Sequence, residues 1–393
     1  MKLNVTYDSN ALATAPAAFF SAVDYVVTLF NTIFTNTATV NIEVGYGDFP
    51  YDGSQLTSYL GLNQQNNVVS ANYSEARQAL IDEGAPGAST LPSTSPFRGQ
   101  LEMGSAQEKA LGLIGSSGAV DGWVGIASNA EVRQLGGTSW SFSSTATPAA
   151  TEYYLVGVIE HEFTEVMGRN SYLGTRGEYG IIDLYRYAAP GIRRTDTGDP
   201  AYFSIDNGVT NLDSFNDPRI AAGDLGDWAP NAGPGGAFHY AGADAFDNNS
   251  LPGQINALTL TDLTLMAALG WDAPTASPPP PASPPPPASP PPPPPVASSP
   301  PSPVVPPSLP PVPHDAEDSA ISTIITTASC AGSSGAAFGF GDVSNPVAVR
   351  SATASSPGMT PASQSSGGDP LLTALGPNWA LVDPAMISGT LAG

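Results

Sequence analysis

The chain has 393 residues, with 12 Lys plus Arg against 35 Asp plus Glu and a formal net charge of −23. Such a field repels phosphate backbones and anionic lipid, which excludes nucleic acid as a partner. The lone cysteine, Cys330, excludes an intrachain disulfide, and no apolar run reaches the roughly 18 residues needed to span a bilayer.

Leu3, Val5 and Tyr7 alternate with polar residues, the period of a half-buried strand. Pro16 suits a first helical position, and Phe19, Val23, Val26, Phe30 and Ile33 then follow at spacings of three and four, one apolar helix face. Val40, Ile42, Val44 and Tyr46 restore the period of two. Strand, amphipathic helix, strand predicts an α/β or α+β sheet domain, and the whole chain is read as α+β. Residues 73–83 read as a helix ended by Gly84, and Ser105-Ala106-Gln107-Glu108 is a capping-box pattern opening a short helix. A strand is expected over 120–126. Thr151 is expected to cap the helix that follows, and Gly168 to end it. Segment 203–228, crowded with Asp, Asn and Gly, reads as loop, and 206–227 within it as turn chemistry or a structural Ca2+ site. Residues 260–269 read as a closing helix, with Gly270 as its stop and Trp271 packed behind it.

Beyond this the composition changes. Residues 274–313 repeat Ala-Ser-Pro-Pro-Pro-Pro with a period of six, an extended polyproline II linker reaching about 120 Å. Residues 314–393 are a low-complexity tail expected to be largely disordered, with a small β-rich segment at 336–349 as an alternative. One domain over 1–273 is long enough for a single large core.

The chemistry concentrates in the helix carrying His161-Glu162-Phe163-Thr164-Glu165. One turn of helix separates His161 from Glu165, so an imidazole and a carboxylate reach one cation, and both are acceptable zinc ligands. Glu162 projects about 100° away, where a general base takes a proton from activated water. The surrounding Leu155, Val156, Val158, Ile159, Phe163, Val166 and Met167 imply burial, and burying Glu160, Glu162 and Glu165 without a cation or bases is costly. A third ligand is expected from Asp183, a lone acid in Ile181-Ile182-Asp183-Leu184-Tyr185, with His239 in a glycine-rich loop as the alternative. Asp183 also fits a core acid paired to Arg169 or Arg186. Tyr185 or Tyr187 is the candidate donor to a tetrahedral oxyanion.

The run Ile159-Glu160-His161-Glu162-Phe163-Thr164-Glu165-Val166-Met167-Gly168-Arg169 resembles the active-site helix of bacterial secreted-type zincin-like metalloproteases, related to the matrixins and metzincins. Asn4-Val5-Thr6-Tyr7-Asp8-Ser9, Ile182-Asp183-Leu184-Tyr185-Arg186-Tyr187, Phe203-Ser204-Ile205-Asp206-Asn207-Gly208, Gly226-Asp227-Trp228 and the closing segment from Thr261 to Trp271 are similar to the same family. The resemblance covers residues 1 to about 272. Glu165 replaces the second histidine of the metzincin pattern, and Ser171 stands at its third ligand. The resemblance implies a twisted mixed sheet over an active-site helix, one catalytic Zn2+ and a protein or peptide substrate. A monomer is expected, and an extracellular bacterial location, although no basic-then-apolar leader opens the chain.

Overall fold

In a computed structural model the described residues are 1–174, 177–197, 200–217, 223–229 and 243–275, together with the backbone of 338–339 and 341–342. Strand β1 (Lys2–Tyr7) pairs in parallel with β2 (Thr39–Tyr46), Leu3 opposite Val40 and Val5 opposite Ile42. β2 pairs in parallel with Gly122–Ile126, which pairs antiparallel with Gly61–Gln65. This mixed sheet runs through the folded region with helices around it, so the expected α+β class holds.

The short helix α1 (Ser9–Thr14), capped by Asp8, was not legible as a separate element, because its single turn carries too little periodicity. Helix α2 (Ala17–Ile33) follows with Pro16 as its N-cap, and Phe19, Val23, Val26, Phe30 and Ile33 form its buried face as their spacing required. Helices α3 (Tyr73–Asp82), α4 (Ser105–Ala110) and α5 (Asn129–Gln134) connect the strands. The capping box expected at Ser105 does not form. Ser105 instead donates to Asp121 at 2.6 Å, where the Asp121 carboxylate also receives the Lys109 ammonium at 2.7 Å and the Asn41 amide at 2.9 Å.

Helix α6 (Leu155–Val166) starts later than expected. Thr151 does not cap it, since Glu152–Tyr154 is a strand paired in parallel with Ser139–Ser141, and Tyr154 becomes the N-cap. Every residue of α6 is buried. The helix lies against the sheet where the strands carry glycine: a Cβ on Gly122 would stand 2.5 Å from Val166 Cγ1, and one on Gly61 would overlap Glu162. On its other side, Phe163 meets Phe30 of α2 edge-on at 6.3 Å. Gly168, at φ +110°, turns the chain out of α6 as expected.

The described residues of 203–217 and 223–228 are mostly loop, with short strands at Tyr202–Phe203 and Asp213–Ser214. Helix α7 (Leu260–Ala268) closes the region. The Trp271 ring packs on Phe34 at 6.0 Å, and its indole donates to Met167 O at 2.9 Å, filling a carbonyl left open at the end of α6. Beside it Thr35 N donates to Asp272 O, Asp272 N to Asn36 Oδ1, and Asn36 Nδ2 to Gly270 O.

Among the described residues no helix is long and apolar enough to cross a membrane. Residues 276–337, which hold most of the linker and the first part of the tail, lie outside the described residues, as do 340 and 343–393. Within the tail, Phe338–Gly339 pairs with Asn249–Ser250, and Gly341–Asp342 pairs in parallel with Leu62–Asn63 at the sheet edge.

Candidate metal centre

Helical spacing places His161 Nε2 3.3 Å from Glu165 Oε1. Asp227 joins them from the loop side, its Oδ1 3.4 Å from the same Nε2. Backbone pairing holds it there: Asn216 N donates to Asp227 O, Trp228 N to Phe246 O, and Asn248 N to Trp228 O. The three side chains each bring one ligand atom within 4.8 Å of the others, and all are buried. Two ligands on a tetrahedral zinc at 2.0–2.1 Å stand about 3.3 Å apart. The pairs made by His161 match that separation.

The imidazole is oriented from behind. Its Nδ1 lies 2.8 Å from Ala245 O, and since a carbonyl only accepts, Nδ1 carries the hydrogen and the Nε2 lone pair faces the acids. Burial, and then the charge of Arg169, lower the His161 pKa to about 3, so the ring is neutral, the form a metal requires.

Arg169 completes the group. Its Nη1 donates to Asp227 Oδ1 at 2.5 Å, its Nη2 lies 3.2 Å from Glu165 Oε1, and its guanidinium lies over the Phe246 ring at 4.3 Å. Burial opposes that charge, but the two carboxylates outweigh it and the pKa is raised. One buried base therefore faces three buried acids, Glu162, Glu165 and Asp227.

Glu162 lies under the strand Gly61–Gln65. Asn63 Nδ2 donates to Glu162 Oε2 at 2.7 Å and also to Glu165 Oε2. One amide thus ties the two acids to the strand. Glu162 Oε1 is buried with no hydrogen-bond partner. Burial, and then the neighbouring Glu165, push the Glu162 pKa well above the usual carboxylate range. The absence of a side chain at Gly61 makes the space this carboxylate fills.

The structure brings His161, Glu162 and Glu165 together and leaves Asp183 elsewhere. Asp183 accepts from Ser171 Oγ at 2.6 Å, Gly180 N at 2.7 Å and Tyr172 N at 3.3 Å, with Arg186 as its nearby positive charge. It is a core acid satisfied by its own loop, and Asp227 takes the third place in the group. Tyr185 packs on Phe203 among Tyr187, Tyr73 and Arg193. Tyr187 lies against Tyr202 and under Arg193. His239 and His314 lie outside the described residues. In the loop 206–227, Asp206 spends its carboxylate on Ser204 and Thr210.

Sequence spacing gave no pointer to Asp227, which lies far along the chain in an aperiodic loop, or to Arg169 as its partner. Two signals were available: Gly226-Asp227-Trp228 is among the segments similar to the zincin-like family, and a helix burying three acids needed a base, with Arg169 one turn beyond Glu165.

An imidazole nitrogen, two carboxylate oxygens and a separate carboxyl with an open oxygen make a set able to hold a divalent ion and to move a proton beside it. No family model, curated protein or solved structure matches this chain.

Proposed function

We infer that the protein is a metal-dependent hydrolase of peptide bonds, a zinc endopeptidase on a zincin-like domain. The observation that carries this reading is the spacing of His161 Nε2, 3.3 Å from Glu165 Oε1 and 3.4 Å from Asp227 Oδ1, beside the unpartnered Glu162 Oε1. His161, Glu165 and Asp227 would hold the ion, which supplies Lewis acidity toward a water and the substrate carbonyl.

The remaining chemistry belongs to the chain. Glu162 Oε1 takes the proton of the attacking water and passes it to the leaving amine, while Asn63 holds Oε2. A raised pKa suits that role, because a base must also act as an acid once it is protonated. Arg169 offsets part of the negative charge of the two acidic ligands, which counters the loss of Lewis acidity those ligands cause. The substrate would be a protein or peptide, met outside the cell. Recovery of the protein only from the cytosol of its host would overturn that location.

A second reading is a non-catalytic module in which the Arg169 guanidinium alone neutralises the cluster. Complete burial of His161 and Glu162 favours it. Metal analysis and casein cleavage by the full chain separate the two. The hydrolase reading expects about one zinc per chain, with Glu162→Gln keeping the metal and losing cleavage. A folded protein that takes up no transition metal establishes the second reading instead.

A further inference from the structure

Three aspartates outside the His161 group divide their carboxylates in the same way. Asp213 Oδ1 accepts from Ser214 N at 2.7 Å, Asp244 Oδ1 from Phe246 N at 2.9 Å, and Asp247 Oδ2 from Asp244 N at 3.2 Å. Each thus spends one oxygen on fixing a local turn. The other oxygens, Asp213 Oδ2, Asp244 Oδ2 and Asp247 Oδ1, are buried and have no hydrogen-bond partner. The three residues are 1%, 1% and 3% exposed, so bulk water does not serve those oxygens either.

Backbone pairing gathers them into one neighbourhood. Ser214 O accepts from Ala229 N, Phe215 bridges Trp228, and Trp228 bridges Asp247. The charges acting on Asp244 are those of Asp262, Asp247 and Asp213. Those acting on Asp247 are Asp262, Asp213 and Asp227, and Asp262 also acts on Asp213. All are acids. Asp262 is itself committed, to Trp228 Nε1 at 2.7 Å and Thr259 N at 2.9 Å. Among the described residues no Lys, Arg or His pairs with Asp213, Asp244 or Asp247. With no base, and with one oxygen of each left without a donor, these carboxyls are unfavourable in their charged form, and a bound cation is the ligand that stabilises that form.

We propose that Asp213 Oδ2, Asp244 Oδ2 and Asp247 Oδ1 form a second cation site, for calcium, separate from the His161 group. The donors are all oxygen, which selects a hard ion over zinc. Calcium takes six to eight oxygens at about 2.3–2.6 Å in an irregular shell, so its opposite ligands stand up to about 5 Å apart. Water would complete the shell. The site also has a structural task. Asp244 and Asp247 flank Ala245, whose carbonyl takes the Nδ1 hydrogen of His161. An ion on the turn therefore fixes the carbonyl that orients the imidazole. That last link rests on the hydrolase reading; calcium binding itself does not.

The test uses the full chain stripped with EGTA and titrated with calcium chloride alone, read by calorimetry and thermal unfolding. Terbium serves as a luminescent probe excited through Trp228. Calcium is expected to bind and raise the melting temperature, and terbium to emit. Asp244→Asn and Asp247→Asn are expected to abolish both responses. His161→Ala is expected to keep the calcium response, which separates the site from the hydrolase reading. A wild type indifferent to calcium overturns the proposal. So does an unchanged response in both Asp→Asn variants, or loss of the response in His161→Ala.

Discussion

Arg169 and His161 approach the same oxygen of Asp227, the guanidinium at 2.5 Å and the imidazole Nε2 at 3.4 Å. A cation at the His161 group would therefore share Asp227 with a fixed positive charge.

The first consequence concerns Arg169 itself. In metal-free protein, Arg169→Met leaves Glu165 and Asp227 buried without their base and is expected to cost about 3–5 kcal/mol. Zinc should restore a larger share of stability in this variant than in the wild type, because the ion then meets two carboxylates without a competitor. Denaturant unfolding with and without zinc measures both, and equal zinc stabilisation in the two proteins would show that ion and guanidinium do not compete.

Asp227 and Asp183 should part company in metal analysis. Asp227→Asn is expected to lower zinc content sharply. Asp183→Ala is expected to keep zinc and lose stability, since the Gly180 and Tyr172 amides lose their acceptor at about 1–3 kcal/mol for each buried donor. Zinc loss in Asp183→Ala with stability intact would reverse this assignment.

Gly61→Ala tests the placement of Glu162. The added methyl would stand 2.7 Å from Glu162 Cγ, so the carboxylate must move. A cost of about 1–3 kcal/mol from overpacking is expected, together with loss of hydrolysis and retention of zinc. Undiminished cleavage by a folded Gly61→Ala protein would mean that Glu162 need not stand where it does.

A buried pair outside the His161 group gives a structural prediction. Lys109 is the ammonium partner of Asp121, and both side chains are 1% exposed. Lys109→Met strands that carboxylate and is expected to cost about 3–5 kcal/mol in chemical denaturation. Zinc content should not change, and a loss below 1 kcal/mol would mean that Ser105 and Asn41 suffice for Asp121.

The sequence made local periodicity easy to read and long-range pairing hard. Helix α2 and strands β1 and β2 follow from apolar spacing alone, and His161 and Glu165 meet because one helical turn separates them. Thr151 is a sound cap by residue type, but the strand pairing of Glu152–Tyr154 overrides it. Ser105 satisfies a capping pattern and spends its hydroxyl on Asp121. Asp183 was expected to need a buried partner, and it has three, all from its own loop. The same rule applied to Asp227 gives no address, because its partners arrive from α6 and its register from the segment around Phe246.

The clasp made by Trp271, Asp272, Thr35 and Asn36 sets an order on biosynthesis. A nascent chain emerging from the ribosome has β1, α2 and α6 in hand long before residue 271 appears, and Met167 O must wait for the indole that fills it. The earlier elements therefore lack this contact until the carboxyl-terminal rim of the domain is made. The proline stretch that follows gives the rim room to clear the exit tunnel and close before translation ends.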